Sequence, residues 1–227
     1  MSFMPESDPA AAHFQRGINI YDGRQVVQDH AEAIKCFHSA ADLGHDGAMC
    51  NLGFMYEHGQ GCKPNPGEAF KWYLKSAEQG NRVAQFNLGA IYASGGMGRL
   101  RDFIMARRWY EKAGNQGHPG AQLRLGLLLL DGIGGPQDEA EAVVHIRKSA
   151  DNHYSPAELV LGALYFIGRG VDQNLEQAVD LYHQSALSNK KPELGYRFQL
   201  YTRPPDTQPD TGGVIDEDDV QRHASLF

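Results

Sequence analysis

The stretch that decides the fold is Ala84–Gly117, AQFNLGAIYASGGMGRLRDFIMARRWYEKAGNQG. Ala84, Leu88 and Tyr92 are spaced i, i+4 and i+8, so they lie on one face of a helix. Several loop residues follow, and Asp102 has the short polar side chain typical of a helix N-cap. The stretch therefore predicts a helical hairpin, whose first helix we call helix A and whose second we call helix B.

This hairpin pattern recurs five times along the chain. A glycine that follows a mostly apolar position marks the middle of each helix A, at intervals of 36, 36, 37 and 36 residues. These repeat glycines are Gly17, Gly53, Gly89, Gly126 and Gly162. Such a regular period is the signature of a repeat architecture, and we expect helices to approach each other closely at Gly89.

The ends of the helices recur in the same register. Each helix A is followed by a glycine that can adopt the left-handed C-cap conformation. Each helix B is preceded by an N-cap residue, at Asp29, Asn65, Asp102, Asp138 and Asn174. In four repeats a Glu or Gln stands three residues later, which predicts a capping box in which each side chain satisfies a backbone N–H of the other residue. Helix B is predicted to stop at Gly44, Gly80, Gly117, His153 or Asn189.

One hairpin is too small to bury its own apolar face, so the hairpins are predicted to stack. Helix A supports stacking because it carries a second apolar face, at Phe14, Cys50, Phe86, Leu123 and Leu159. The predicted fold is all-α, an α/α superhelix or solenoid of five helix-turn-helix repeats of about 36 residues. A C-terminal capping helix is predicted to follow the fifth repeat.

The predicted boundaries follow the repeat register. An N-terminal extension covers residues 1–9, and an acidic tail rich in Pro and Gly covers 203–227. The five repeats occupy 10–190, approximately as 10–45, 46–81, 82–118, 119–154 and 155–190. The capping helix is predicted at 191–202, where KPELGYRFQLY resembles a lone sixth helix A.

The unit Ala84–Gly117, with Asn51–Gly80, closely resembles the Sel-one-like repeat, a relative of the tetratricopeptide repeat. The resemblance implies an α/α superhelix that serves as an adaptor for protein complexes. Members of that family act in eukaryotic membrane-protein degradation and in bacterial signalling and host interaction. Others occur in secretion-system toxin loci as immunity proteins. A cysteine-rich branch is linked to β-lactam binding, but this chain lacks the paired cysteines of that branch.

The composition excludes several classes of function. The chain of 227 residues has a formal net charge of −7 and no basic stripe, so nucleic-acid binding is not expected. Its longest apolar run is far short of the roughly 18 residues of a membrane span, and its N-terminus does not have the pattern of a secretory signal. We therefore expect a cytoplasmic protein, and the three cysteines, an odd number, also favour a reducing compartment.

The motifs that resemble chemical sites have simpler interpretations. HGQGCKPNPG, at His58–Gly67, could be a phosphate cradle, a metal hook or a turn. Its counterparts in the other repeats lack the Lys, and His58 with Cys62 supplies two of the four ligands of a structural zinc site, so we predict a turn. His145 is predicted to be a hydrogen-bonded core histidine. No catalytic signature or cofactor motif is present, and we expect a non-enzymatic protein without a cofactor.

The candidate functional feature is a stripe along helix A, two residues before and five residues after the repeat glycine. Its candidate partner-binding residues are Gln15, Asn51, His58, Asn87, Ser94, Arg124, Asp131, Val160 and Ile167. In tetratricopeptide-like solenoids helix A lines the concave surface, so these residues would face a bound protein segment. The other interpretation is that the Gln and Asn side chains satisfy neighbouring backbone groups.

Three functions are compatible with these features. The first is a scaffold or adaptor that binds a protein segment on its concave surface. The second is an immunity protein that neutralises a secreted toxin, for example one of type VI secretion, by direct binding. The third is a small-molecule-binding or hydrolytic repeat protein. The residues do not encode the identity of the partner or the oligomeric state.

Overall fold

The computed structural model describes residues 8–24 and 26–188, which contain ten α-helices and no strand. The helices are α1 (Pro9–Asp22), α2 (His30–Asp42), α3 (Asp46–His58), α4 (Pro66–Glu78), α5 (Arg82–Ser94), α6 (Phe103–Asn115), α7 (Pro119–Leu130), α8 (Glu139–Asp151), α9 (Ser155–Ile167) and α10 (Leu175–Ser188). Odd-numbered helices are helix A and even-numbered helices are helix B of the five predicted hairpins. The predicted capping helix, 191–202, and the tail, 203–227, lie outside the described residues.

The described helices group into two compact units whose boundary lies inside α5. Unit one contains α1 to α4, the part of α5 up to Leu88, and the loop residues 97–99. Unit two contains the rest of α5, from Gly89 to Gly96, and the described residues from Leu100 onward.

The predicted N-caps of helix B are confirmed, but the second half of the capping box is wrong. The Asp29 carboxylate accepts the Glu32 N–H at 3.0 Å, and Asn65, Asp102, Asp138 and Asn174 cap their helices in the same way. The N–H of each cap residue donates to a carbonyl in the last part of its own helix A, as Asp29 does to Ile20 at 3.2 Å. Glu32 instead pairs with Lys35 at 2.9 Å. Because the loop folds back onto helix A, the N–H of the cap residue bonds the carbonyl of helix A. That N–H is therefore not left for the Glu side chain, which was predicted to bind it.

The predicted close approach of helices at Gly89 is confirmed, and the structure shows the same approach of helix A to helix B at the other repeat glycines. A Cβ atom added at Gly89 would lie 2.5 Å from two ring carbons of Tyr110, and one at Gly53 would lie 2.6 Å from Tyr73. The counterparts in the other repeats are Gly17 against Phe37, Gly126 against Ile146 and Gly162 against Tyr182. Each glycine thus receives the large side chain of helix B from the same hairpin, and any side chain there would overlap it.

The stretch His58–Gly67 is a turn, as predicted. Gly59 ends α3 with φ of 69°, and Pro66 is the first residue of α4. The second glycine has a further role that the sequence did not indicate: a Cβ at Gly61 would lie 2.4 Å from the backbone of His30, in the preceding repeat. Gly134 and Gly170 lie in the same way against the first residues of α6 and α8. The second loop glycine is therefore required by the stacking of one repeat on the repeat before it.

The helix ends show two further features. α8 ends at Asp151, two residues before the predicted stop at His153, and His153 itself adopts a left-handed φ of 56°. Asn189 lies outside the described residues. His45 and His118 are N-caps whose Nδ1 atoms accept the N–H of Ala48 and Ala121 at 3.2 Å. Within the described part of the chain, none of the helices has the length and apolar character needed to cross a bilayer.

Candidate functional site

In unit one, the stripe of helix A has two exposed members, Gln15 and His58. The Gln15 amide donates to the side-chain oxygen of Asn19 at 3.1 Å. His58 Nδ1 donates to the carbonyl of Phe54 at 3.0 Å, and its ring packs beside the Phe54 ring with centroids 4.2 Å apart. Because Nδ1 is used in this bond, the Nε2 edge of His58 is the part that can meet a ligand. Phe54, one residue after the repeat glycine, was not identified from the sequence.

The two asparagines of unit one do not share this exposure. Asn51 is 4% exposed, so it is not part of an accessible surface, and its predicted place in the stripe is corrected. Asn87 is half-buried, and its side chain hydrogen-bonds the Tyr73 hydroxyl, which itself donates to the Glu57 carboxylate at 2.7 Å. Burial, together with the charge of Glu57, raises the pKa of Tyr73 well above its ordinary value. Asn87 thus contributes to a buried polar network.

In unit two, the polar members of the stripe are partly engaged. Ser94 is exposed, and its hydroxyl donates to the Ala90 carbonyl at 2.9 Å. Arg124 and Asp131 are half-buried. Asp131 lies 3.2 Å from Arg169, which also binds the Glu139 carboxylate at 2.8 Å.

Arg169 is a residue that the sequence interpretation missed. It is the middle residue of the Gly-x-Gly loop after α9, and it donates to the carbonyl of Leu130 at 2.6 Å in the preceding repeat. Burial lowers the pKa of Arg169, but hydrogen bonds and charges from Glu139 and Asp131 outweigh that effect and raise it. A charged side chain between two loop glycines was the available signal, although its partners are about 30 residues away or more.

The last helix A of unit two changes the stripe from polar to apolar. Val160 is half-buried and Ile167 is 38% exposed. The neighbouring Phe166, which the sequence interpretation did not include, is 54% exposed. Exposed large apolar side chains that lie together on one helix are unusual for a surface that contacts only water.

An open cavity lies in unit one beside α1 and the loop that follows it. Its volume is about 820 Å³, and Gln15, Arg16, Asn19, Asp29 and Glu32 contribute polar groups to its wall. The cavity shares Gln15 with the stripe. Its mixed charges do not select a single class of ligand.

The cysteines have the properties of core thiols. Burial raises the pKa of Cys50 to about 12, and burial also raises the pKa of Cys36 and Cys62. The Cys62 thiol donates to the Met55 carbonyl at 3.7 Å. Because the thiolate is the reactive form, these shifts oppose nucleophilic chemistry at all three positions.

His145 is buried as predicted, at 9% exposure, but its predicted hydrogen bonding is incomplete. Its Nε2 atom lies 3.7 Å from Glu141, and its Nδ1 atom has no hydrogen-bond partner among the described residues. Burial lowers the pKa of His145, which favours the neutral ring. In the part of the chain that the structure describes, no group of three or more His, Cys, Asp or Glu side chains is placed to hold a metal ion.

Comparison with solved structures identifies relatives that share this architecture. A Sel1 repeat protein from Oxalobacter formigenes is 30% identical, with a TM-score of 0.75 over 98% of this chain and 91% of its own. A protective antigen of uropathogenic Escherichia coli with an SLR fold is 31% identical, with a TM-score of 0.74 over 96% of this chain. An immunity protein from Pseudomonas aeruginosa is 19% identical, with a TM-score of 0.53 over 98% of this chain and 83% of its own, a likeness of fold alone.

Some relatives are much longer than the matched region. This chain spans 47% of the E. coli antigen. An uncharacterized protein of Neisseria meningitidis serogroup B is 42% identical over 48 residues, which are 21% of this chain and 10% of that protein.

The family is shown by the repeats themselves. The Sel1 repeat matches residues 10–45, 47–81, 82–118, 119–154 and 155–190. Sel1 repeats generally form non-catalytic scaffolds that mediate protein–protein interactions. With five matched repeats, ten described helices and relatives of the same fold, the chain belongs to the Sel1 repeat family of all-α solenoid proteins.

Proposed function

We propose that this protein is a non-enzymatic scaffold or adaptor that binds a segment of a partner protein along the stripe of helix A. The observation that carries the proposal is the exposure of four members of the stripe, Gln15, His58, Ser94 and Ile167. In α9, for example, Leu161 and Leu164 are 3% and 2% exposed, whereas Ile167 is 38% exposed. An apolar side chain left at the surface of an otherwise packed helix gains free energy when a partner covers it.

The stripe also indicates the chemistry of the partner segment. In unit one it offers the polar edges of Gln15 and His58. In unit two, α9 offers Ile167 and the half-buried Val160, and full burial of such a side chain contributes about 1.5 to 3 kcal/mol. The partner segment that suits this chemistry has hydrogen-bonding groups, which match the polar members of the stripe, and one or two apolar side chains, which match the apolar members. On this proposal the apolar anchors of unit two provide most of the affinity.

The test is affinity purification from native cells with wild type and Ile167→Glu. The matched control is Val144→Glu, because Val144 is 50% exposed on the helix B surface of α8. We expect Ile167→Glu to lose partners that wild type and Val144→Glu retain, while circular dichroism shows that all three are folded. Equal recovery of partners by both variants would refute the role of α9. His58→Ala, with His13→Ala as its control on α1, tests the polar part of the stripe in unit one.

A second candidate is an immunity protein that neutralises a secreted toxin by direct binding. It is supported by the acidic composition, with a formal charge of −7, and by the family's presence in toxin loci. The likeness to the P. aeruginosa immunity protein supports the suitability of the fold and nothing finer. The test is co-expression with a toxin encoded beside the gene. Growth rescue by wild type and its loss in a folded Ile167→Glu variant would support this function, and absence of rescue would exclude that toxin as the partner.

The third candidate function is small-molecule binding. One specific observation supports it, the cavity in unit one. Thermal-shift screening against metabolites and β-lactams is the direct test. A hit should be weakened by Arg16→Ala if it occupies this cavity. A screen without any stabilising compound would remove the candidate.

A further inference from the structure

In the first and fourth repeats one face is covered by the repeat that follows, and we call this face, and its counterpart in the fifth repeat, the forward face. It contains the helix A residues three before and four after the repeat glycine, and the fifth residue of helix B. In the first repeat these are Phe14, Tyr21 and Ile34, which are 8%, 6% and 8% exposed. In the fourth repeat they are Leu123, Leu130 and Val143, which are 0%, 3% and 4% exposed.

Contacts with the next repeat show why the forward face is buried. The Phe14 ring stacks on the His45 ring, with centroids 4.1 Å apart. The Tyr21 hydroxyl donates to the side-chain oxygen of Gln60, in the loop of the second repeat. Val143 of the fourth repeat packs against Gly170 of the fifth repeat. A Cβ atom added at Gly170 would lie 3.0 Å from a Val143 methyl carbon.

The forward face of the fifth repeat is exposed. Leu159, Phe166 and Val179 occupy the three positions and are 36%, 54% and 52% exposed. On α10, Leu175 and Leu187 are 56% and 61% exposed. The side chains are those of an interior interface, but the described residues 8–24 and 26–188 leave them uncovered. Large apolar side chains left exposed at the positions of an interior interface call for an occupant.

We propose that residues 191–202 of this chain cover the forward face of the fifth repeat as a sixth helix A. Leu194, Gly195 and Phe198 reproduce the Leu-Gly-x-x-Tyr pattern of Leu161–Tyr165. Leu194, Phe198 and Tyr201 are spaced i, i+4 and i+7, so a helix would present them on one face. Tyr56 and Tyr165, which hold the place of Phe198 in their repeats, contact His38 and Arg147 of the repeat before them, so this face of helix A meets the preceding repeat.

The chain connection and the outer side of the segment agree with this assignment. α10 ends at Ser188, and three residues separate it from Pro192, which suits the first position of a helix. With Gly195 as the repeat glycine, the proposed helix begins three residues before its glycine, whereas α3 begins seven residues before Gly53, so the sixth helix A is shortened at its start. Gln199 would occupy the forward position that Phe166 holds in the fifth repeat. A polar residue there ends the stack, as a terminal repeat requires.

The experiment uses the full chain and compares Leu194→Asp with Gln199→Asp, a matched control in the same segment. Hydrogen exchange of α9 and α10 is measured together with the molar mass by light scattering. We expect a monomer in which Leu194→Asp accelerates exchange in these helices about ten-fold or more, the equivalent of one buried apolar side chain. Gln199→Asp should leave exchange unchanged. Val179→Asp should produce the same acceleration, and combining it with Leu194→Asp should add little.

Two results would overturn the assignment. One is a Leu194→Asp monomer whose α9 and α10 exchange like wild type. The other is a wild-type dimer whose protection of these helices depends on protein concentration, because a second copy would then cover the face. Neither result bears on the proposed partner site, which is tested by recovery of a partner from cells.

Discussion

Replacing Gly89 by valine is expected to lower the free energy of unfolding by about 1 to 3 kcal/mol, the usual cost of overpacking a core. A Cβ at this position would lie 2.5 Å from two ring carbons of Tyr110, whereas carbon atoms in contact prefer about 3.5 to 4.0 Å. The Tyr110 ring is 3% exposed, so it has little room to move away. The valine side chain therefore forces α5 and α6 apart within unit two.

The assay is urea unfolding followed by circular dichroism, with hydrogen exchange to locate the destabilised helices, because repeat proteins can unfold locally. Gly67→Val is the control, since Gly67 is an exposed helical residue whose added Cβ would meet its nearest neighbouring atom at 3.4 Å. In a Tyr110→Ala background the further cost of Gly89→Val should fall to within about 0.5 kcal/mol of zero. An unchanged unfolding midpoint for Gly89→Val, or an equal loss for Gly67→Val, would refute the packing argument.

Three further predictions concern caps, ion pairs and thiols. His45→Ala should lose the α3 cap, worth about 1 kcal/mol, together with the stacking on Phe14, and His45→Asn should recover the cap part because Asn81 caps α5 in this way; equal unfolding midpoints for the two variants would contradict this. Arg169→Met should cost about 1 to 2 kcal/mol by removing the bonds of Arg169 to the Leu130 carbonyl and to the Asp131 and Glu139 carboxylates, and 1 M salt should narrow its difference from wild type in urea unfolding. Burial raises the pKa of Cys50 from 9.0 to about 12, so the folded state retains a proton that the unfolded chain releases. Stability should therefore fall as pH rises through about 9 to 10, by up to about 1.4 kcal/mol per unit, and Cys50→Ala should flatten this dependence.

The repeat architecture was predictable because its signals are local. Helix spacing, N-caps and C-caps all act within a few residues, and five copies make the register unambiguous. The same logic predicted the close contact at Gly89, because a glycine in mid-helix has a cost that close packing explains. Asn65 and Pro66 likewise specify the start of α4 without reference to any other repeat.

The stripe of helix A was only partly predictable, because exposure depends on neighbours that are distant in sequence. Asn51 and His58 occupy equivalent places on the helical wheel, but Asn51 is 4% exposed and His58 is exposed. The partner of Asn87, Tyr73, lies in the preceding hairpin. Helical periodicity predicts which side of a helix a residue occupies, but it does not predict which neighbouring element covers that side.

The sequence by itself determined the hairpins: their period, their caps, and the glycines that admit the helix B side chains. Tertiary structure decided how the loops are used. The cap N–H of Asp29 goes to the carbonyl of Ile20 rather than to Glu32, and Gly61 must be glycine because His30 of the preceding repeat lies against it. The physical reason is range. Caps and periodicity are set by bonds within one or two helical turns, whereas these contacts form only when a loop folds back on its own helix or one repeat stacks on another.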